Sequence, residues 1–171
     1  MTPHQARIVA AARAWIGTPY VHQASVSGAG TDCLGLLRGV WRAVIGGEPE
    51  AVPAYTADWG EGGGREVLMA AARRWLVPGA DAHPGDVLLF RMRDGSIAKH
   101  LGIQSIVGAG AAFVHAYTGH GVIESPLSDP WARRIAARFA IHSTPSGKAK
   151  RAAMRRAQGS DNGLSITPCP V

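Results

Sequence analysis

Three side chains in this chain have the chemistry of a thiol nucleophile with proton acceptors: Cys33, His100 and His115. Cys33 follows Thr31 and Asp32, both of which can cap the free N–H groups at a helix start. A thiol there feels the positive end of the helix, which lowers its pKa and favours thiolate. The same N–H groups can receive the oxyanion formed when sulfur attacks a carbonyl. Gly35, two residues on, allows another backbone or a substrate to come close. A buried structural thiol is the alternative, since free cysteine is among the most buried residue types.

A cysteine nucleophile needs a base. In a strand over residues 99–107, His100, Gly102 and Gln104 share a face; in a strand over 111–117, Phe113, His115 and Tyr117 do. On neighbouring antiparallel strands, one imidazole could take the thiol proton and the other could orient it. Each histidine taken alone is more often a surface or satisfied interior residue.

The elements that must position these groups follow from periodicity. Residues 4–16 carry Ile8, Val9, Ala12, Trp15 and Ile16 at helical spacing, ended by Gly17-Thr18-Pro19. Residues 22–30 read as loop. The Cys33 helix has Leu34, Leu37, Val40, Trp41 and Val44 as its apolar stripe and stops at Gly46-Gly47. Residues 48–64 read as a surface excursion, and residues 65–77 as a third helix. Strands are expected near 86–92, 99–107, 111–117, 121–124 and 137–142, with a helix over 131–140 as the alternative for the last. Asp94-Gly95, Gly108-Ala109-Gly110 and Gly119-His120-Gly121 supply turns between them. Helices followed by strands predict an α+β fold with an antiparallel sheet.

Composition sets the outer limits. The 171 residues are 46% hydrophobic and only 18% charged, which excludes a disordered linker. Two cysteines, Cys33 and Cys169, are too few for a disulfide scaffold, and joining them would disable the nucleophile. No 18-residue apolar run exists, so no membrane insertion is expected. The N-terminus lacks the layout of a secretory signal, so synthesis in the cytoplasm is expected. Residues 145–171 hold five basic residues against one acid, most of the chain's net +6. They have no interleaved aromatics and no reader fold, so direct nucleic-acid reading is not expected. Two units result: a domain over 1–142 and a basic, Pro/Gly-containing arm over 143–171, expected to dock on a partner.

Five segments together resemble the NlpC/P60 family of cell-wall cysteine peptidases. Gly17-Thr18-Pro19-Tyr20 resembles the G-x-P-Y entry, and Thr31-Asp32-Cys33-Leu34-Gly35-Leu36 the D-C-S-G-L nucleophile motif. Pro84-Gly85-Asp86-Val87-Leu88-Leu89-Phe90 resembles P-G-D-L-x-x-F, and Lys99-His100-Leu101-Gly102-Ile103 resembles H-V-G-I. Phe113-Val114-His115-Ala116 resembles the strand bearing the third polar residue. The likeness covers roughly residues 3–142 and is greatest to phage-tail and gene-transfer-agent members.

That resemblance implies a papain-like α+β core with the nucleophile helix on an antiparallel sheet. It implies Cys33 as nucleophile, His100 as base and His115 as orienter. Tyr20 would help position substrate or oxyanion. Asp32 would cap the helix and could receive a substrate amine. The implied substrate is the peptidoglycan stem peptide, usually cut between γ-D-glutamyl and a diamino acid, with no cofactor. The implied partners are hub or baseplate proteins of a phage-like particle, whose tail tip would open the wall. Two departures stand out: Val21-His22-Gln23 replaces the common W-G-G, and Leu34 replaces serine. His22 reads as a solvent-facing loop residue. The alternatives are an open zinc site made by the same three residues and a structural tail component with an idle cleft. Retention of all three side chains argues against the idle cleft.

Overall fold

The computed structural model describes residues 1–56 and 64–142. The expected docking arm at 143–171 therefore lies outside the described residues.

Helix α1 (Pro3–Arg13) begins in a capping box: Thr2 Oγ accepts from Gln5 N at 3.2 Å, and Gln5 Oε1 accepts from Thr2 N at 2.6 Å. It ends three residues before the expected Ile16. There the chain tightens into i→i−3 bonds, Trp15 N to Ala12 O and Ile16 N to Arg13 O. A two-stranded hairpin, β1 (Ser25–Val26) with β2 (Gly30–Thr31), stands where a plain loop is expected. Helix α2 (Cys33–Val44) follows, buried through Gly35, Leu36, Gly39 and Val40. Asp32 alone caps it; Thr31 belongs to β2 and turns its hydroxyl to Asp32 O at 3.0 Å.

Helix α3 (Val67–Trp75) is shorter than the expected 65–77, because Val77 precedes proline and is excluded from helical backbone. The chain runs instead into a short strand, β3 (Val77–Gly79). The remaining strands are β4 (Val87–Arg91), β5 (Ala98–Ile106), β6 (Ala112–Tyr117), β7 (Gly121–Pro126) and β8 (Ile135–Ala140). A four-residue helix, α4 (Asp129–Ala132), precedes β8, so the expected 137–142 strand starts earlier and the helical alternative holds only at its front.

The six strands form one antiparallel sheet in the order β3-β8-β4-β5-β6-β7. Both faces are apolar. Val87, Leu89, Leu101, Ile103, Val114, Ala116, Val122 and Phe139 pack against α1, α2 and α3. Leu88, Phe90 and Phe113 face the other way, under Met92, Leu127, Trp131 and Ile135. This is the α+β architecture expected, with the Cys33 helix on an antiparallel sheet. Two glycines of α2 set how closely it docks. A Cβ at Gly35 would lie 1.9 Å from Ala24 O, and one at Gly39 would lie 1.9 Å from the Trp15 ring.

Candidate active site

The site forms where the sheet opens. β6 pairs with β7 through Tyr117, but its register with β5 covers only Ile103–Ile106 against Ala112–Val114. A register shift between Phe90 and Arg91 puts one extra residue, Lys99, into β5 opposite β4. Such a bulge re-aims side chains beside it. The first turn of α2 meets this opening: the backbone N–H of Leu101 points at the Cys33 sulfur, with those of Leu34 and Cys33 itself. A cleft of about 250 Å³ results, lined by Cys33, His100, Tyr20, Asp32, Tyr55, Tyr117 and neighbours.

His100 and His115 meet as expected, His100 Nε2 lying 2.9 Å from His115 Nδ1. Gly102 makes this possible. A Cβ there would sit 2.7 Å from Phe113 Cδ2 and 3.1 Å from His115 Cβ, across the path by which His115 approaches. The other His115 nitrogen, Nε2, lies 3.0 Å from Ser125 Oγ on β7. Phe90, Phe113, Tyr117 and Trp131 surround the pair, with Trp131 ring centroids 5.8 Å from His100 and 5.2 Å from His115. His120 stacks on Tyr117 instead, and Gln104 is engaged by Arg138 and the Ile106 carbonyl. Neither takes the place of His115 beside His100. Cys33 and His100 line the same cleft, but among the described residues no hydrogen bond joins them.

The electrostatics correct one expectation. Burial pushes the Cys33 thiol up to about 12, and the Asp32 carboxylate adds to the rise. The three backbone N–H groups oppose this only in part, so the resting sulfur is a thiol rather than a thiolate. Burial lowers His100 to about 3, helped by His115, and His115 to about 4, helped by His120. Both rings are therefore neutral at pH 7.

Asp32 is 2% exposed and fully engaged. Its Oδ1 accepts from Gly35 N at 2.8 Å, and its Oδ2 from Gln23 N at 2.7 Å and the Tyr55 hydroxyl at 2.6 Å. A substrate amine would have to displace Tyr55. His22, expected to face solvent, is exposed yet held: its Nε2 lies 2.8 Å from Tyr55 O, and its Nδ1 lies 3.5 Å from Asp32 Oδ2. Gln23, which also reaches Tyr55 O, adopts φ +64° to do so. Tyr20 is placed beside Cys33 by a parallel bridge to Thr31, with its hydroxyl bonded to Thr118. Burial raises its pKa, Cys33 and Asp32 adding while Thr118 lowers it. Tyr55, Ser125, Thr118 and Trp131 are the neighbours that sequence reasoning missed. Tyr55 and Trp131 lie far in sequence from both Cys33 and His100, and Thr118 and Ser125, though nearer to His115, belong to none of the motifs that mark the site. Among the described residues no three His, Cys, Asp or Glu side chains are grouped to hold a metal ion.

A thiol at a helix start, in one cleft with an imidazole that is hydrogen-bonded to a second imidazole on an antiparallel sheet, resembles the arrangement of papain-like thiol hydrolases. The NlpC/P60 family model matches residues 17–139, and the chain belongs to that family. The fold is similar to that of an NlpC/P60 family protein from Bacillus cereus ATCC 10987, with TM-score 0.54 and 18% identity over 85% of this chain. It is also similar to a lipoprotein-like NLP/P60 family protein from Staphylococcus aureus subsp. aureus Mu50, with TM-score 0.54 and 20% identity over 83%. NlpC2 from Trichomonas vaginalis gives TM-score 0.51 and 22% identity over 80%. This chain covers 42%, 43% and 46% of those three chains, less than half of each. No curated protein matches it.

Proposed function

We propose that this protein is a cysteine peptidase that hydrolyses peptidoglycan stem peptides, with the γ-D-glutamyl to diamino acid bond as its target. The observation that carries the reading is a shared cleft. Cys33 and His100 line it together, and His115 holds the Nε2 of His100, leaving Nδ1 for the thiol.

In this reading the Cys33 proton moves to His100 Nδ1 as sulfur attacks the scissile carbonyl. Sulfur–carbon bond formation creates an oxyanion, which the N–H groups of Cys33 and Leu34, now beside the sulfur, would turn to receive. His100 then protonates the leaving amine as the C–N bond breaks. Water, deprotonated by His100, cleaves the thioester and restores the thiol. His115 orients the base throughout. Tyr20 positions the substrate at the rim. Asp32 holds the helix start, and it binds a substrate amine only if Tyr55 yields.

The biological setting rests on the motif resemblance to phage-tail and gene-transfer-agent peptidases. The chain would be made in the cytoplasm and bound to hub or baseplate proteins, with residues 143–171 as the docking segment. It would act on the target cell's wall from the tail tip. Antibody probing of a purified particle fraction tests this: signal in particles supports it, and its confinement to cytoplasm refutes it. One observation favours a second reading, a tail component with an idle cleft: Cys33 and His100 line the cleft, yet among the described residues no hydrogen bond joins them. Comparing wall-fragment release by wild type and Cys33→Ala separates the two.

A further inference from the structure

The two active-site histidines continue into a third polar group that sits on another strand and belongs to none of the motifs. His115 Nε2 is 3.0 Å from Ser125 Oγ, and His115 Nδ1 is 2.9 Å from His100 Nε2. Each bond has one proton, and a neutral imidazole carries one N–H and one acceptor nitrogen. The protons can therefore be arranged in two ways only. If His115 Nε2–H donates to Ser125 Oγ, His115 Nδ1 accepts from His100 Nε2–H, and His100 Nδ1 is a bare acceptor. If Ser125 donates instead, every bond reverses and His100 Nδ1 carries a proton, which disqualifies it as a base.

We infer that Ser125 is a positioning residue, accepting from His115 Nε2–H and so holding both imidazoles in the Nε2–H tautomer that leaves His100 Nδ1 free for the Cys33 proton. This rests on the reading of His100 as the general base. One observation favours this direction, and two more keep the chain of bonds in place. Ser125 is half-buried, so its own hydroxyl proton has an outlet toward solvent, whereas His115 is 1% exposed and has none. The rings are walled by Phe90, Phe113, Tyr117 and Trp131, so water is kept from resetting their protons one by one. Ser125 is also rigidly placed, lying opposite Phe113 in the β6–β7 register. A partner behind a functional histidine commonly sets its tautomer in this way.

The test has a part that needs no substrate. Long-range proton–nitrogen NMR of the wild-type protein at pH 7 should show both His100 and His115 as Nε2–H tautomers; a His100 Nδ1–H tautomer overturns the inference. The second part uses purified sacculi. Ser125→Ala should lower kcat roughly tenfold with KM little changed, the scale of one buried hydrogen bond, and should broaden or mix the tautomer signals. Ser125→Thr, which keeps the hydroxyl, should restore both. A Ser125→Ala protein with wild-type kcat and unmixed tautomers contradicts the inference. If wild type releases no wall fragments, the peptidase reading fails while the tautomers are still decided by the spectra.

Discussion

At the scale of single residues, the proposed chemistry turns on a thiol and two imidazoles that are all uncharged at rest. With the Cys33 thiol near 12, its alkylation by iodoacetamide should climb about tenfold per pH unit between pH 7 and 10. The rate is best followed in a Cys169→Ser background. A rate already level from pH 5 upward would mean a preformed thiolate–imidazolium pair and would contradict the neutral resting state. The histidines make a second prediction. Both are lowered on folding, to about 3 and about 4 from 6.5, so above pH 6.5 neither state binds the extra protons. Below it the unfolded chain takes up protons that the native chain refuses. Stability should fall by about 1.4 kcal/mol per pH unit for each ring until the folded values are reached. Melting temperatures between pH 7 and 4 should drop less steeply for His115→Gln than for wild type; an equal slope would sink this assignment. Cys33, His100 and His115 were legible because residue type and strand alternation mark them. The direction of the thiol shift was not, because the helix-start N–H groups are local while the burial that outweighs them arises only when distant segments close around the sulfur.

Among the elements, α2 and the β5–β6 junction matter most, and each depends on a missing side chain. Gly102→Ala would put a methyl 2.7 Å from Phe113 and 3.0 Å from the Val114 carbonyl. It should separate His115 from His100, cutting activity at least tenfold and lowering the melting temperature. Unchanged activity would remove the close approach from the account. Gly35→Ala should be worse for folding, since its methyl would meet the Ala24 carbonyl at 1.9 Å and backbone cannot step aside as a side chain can. A cost of about 1–3 kcal/mol or more in denaturant unfolding is expected. The long elements were legible from their period: α1, α2, α3 and strands β4 to β7 lie where apolar spacing puts them. The short ones were not. β3 is Val77-Pro78-Gly79, turn residues that pair only because β8 arrives beside them. The β1–β2 hairpin has two residues per strand, too few to show alternation.

Over the whole molecule, the family match ends at residue 139 and the sheet at Ala140. His4 on α1 bonds Ile141 O at 2.9 Å, tying the first helix to the end of the last strand's run. A chain stopped after His142 should therefore fold and, on the proposed reading, release wall fragments as the full chain does. If residues 143–171 dock on a particle, the same truncation should abolish incorporation; normal incorporation would refute the docking role. The most direct measurement is digestion of purified sacculi by wild type and Cys33→Ala, with the released fragments identified by mass spectrometry. The account predicts fragments ending at the γ-D-glutamyl residue from wild type and none from the variant. Equal release by both, or none by either, would contradict it.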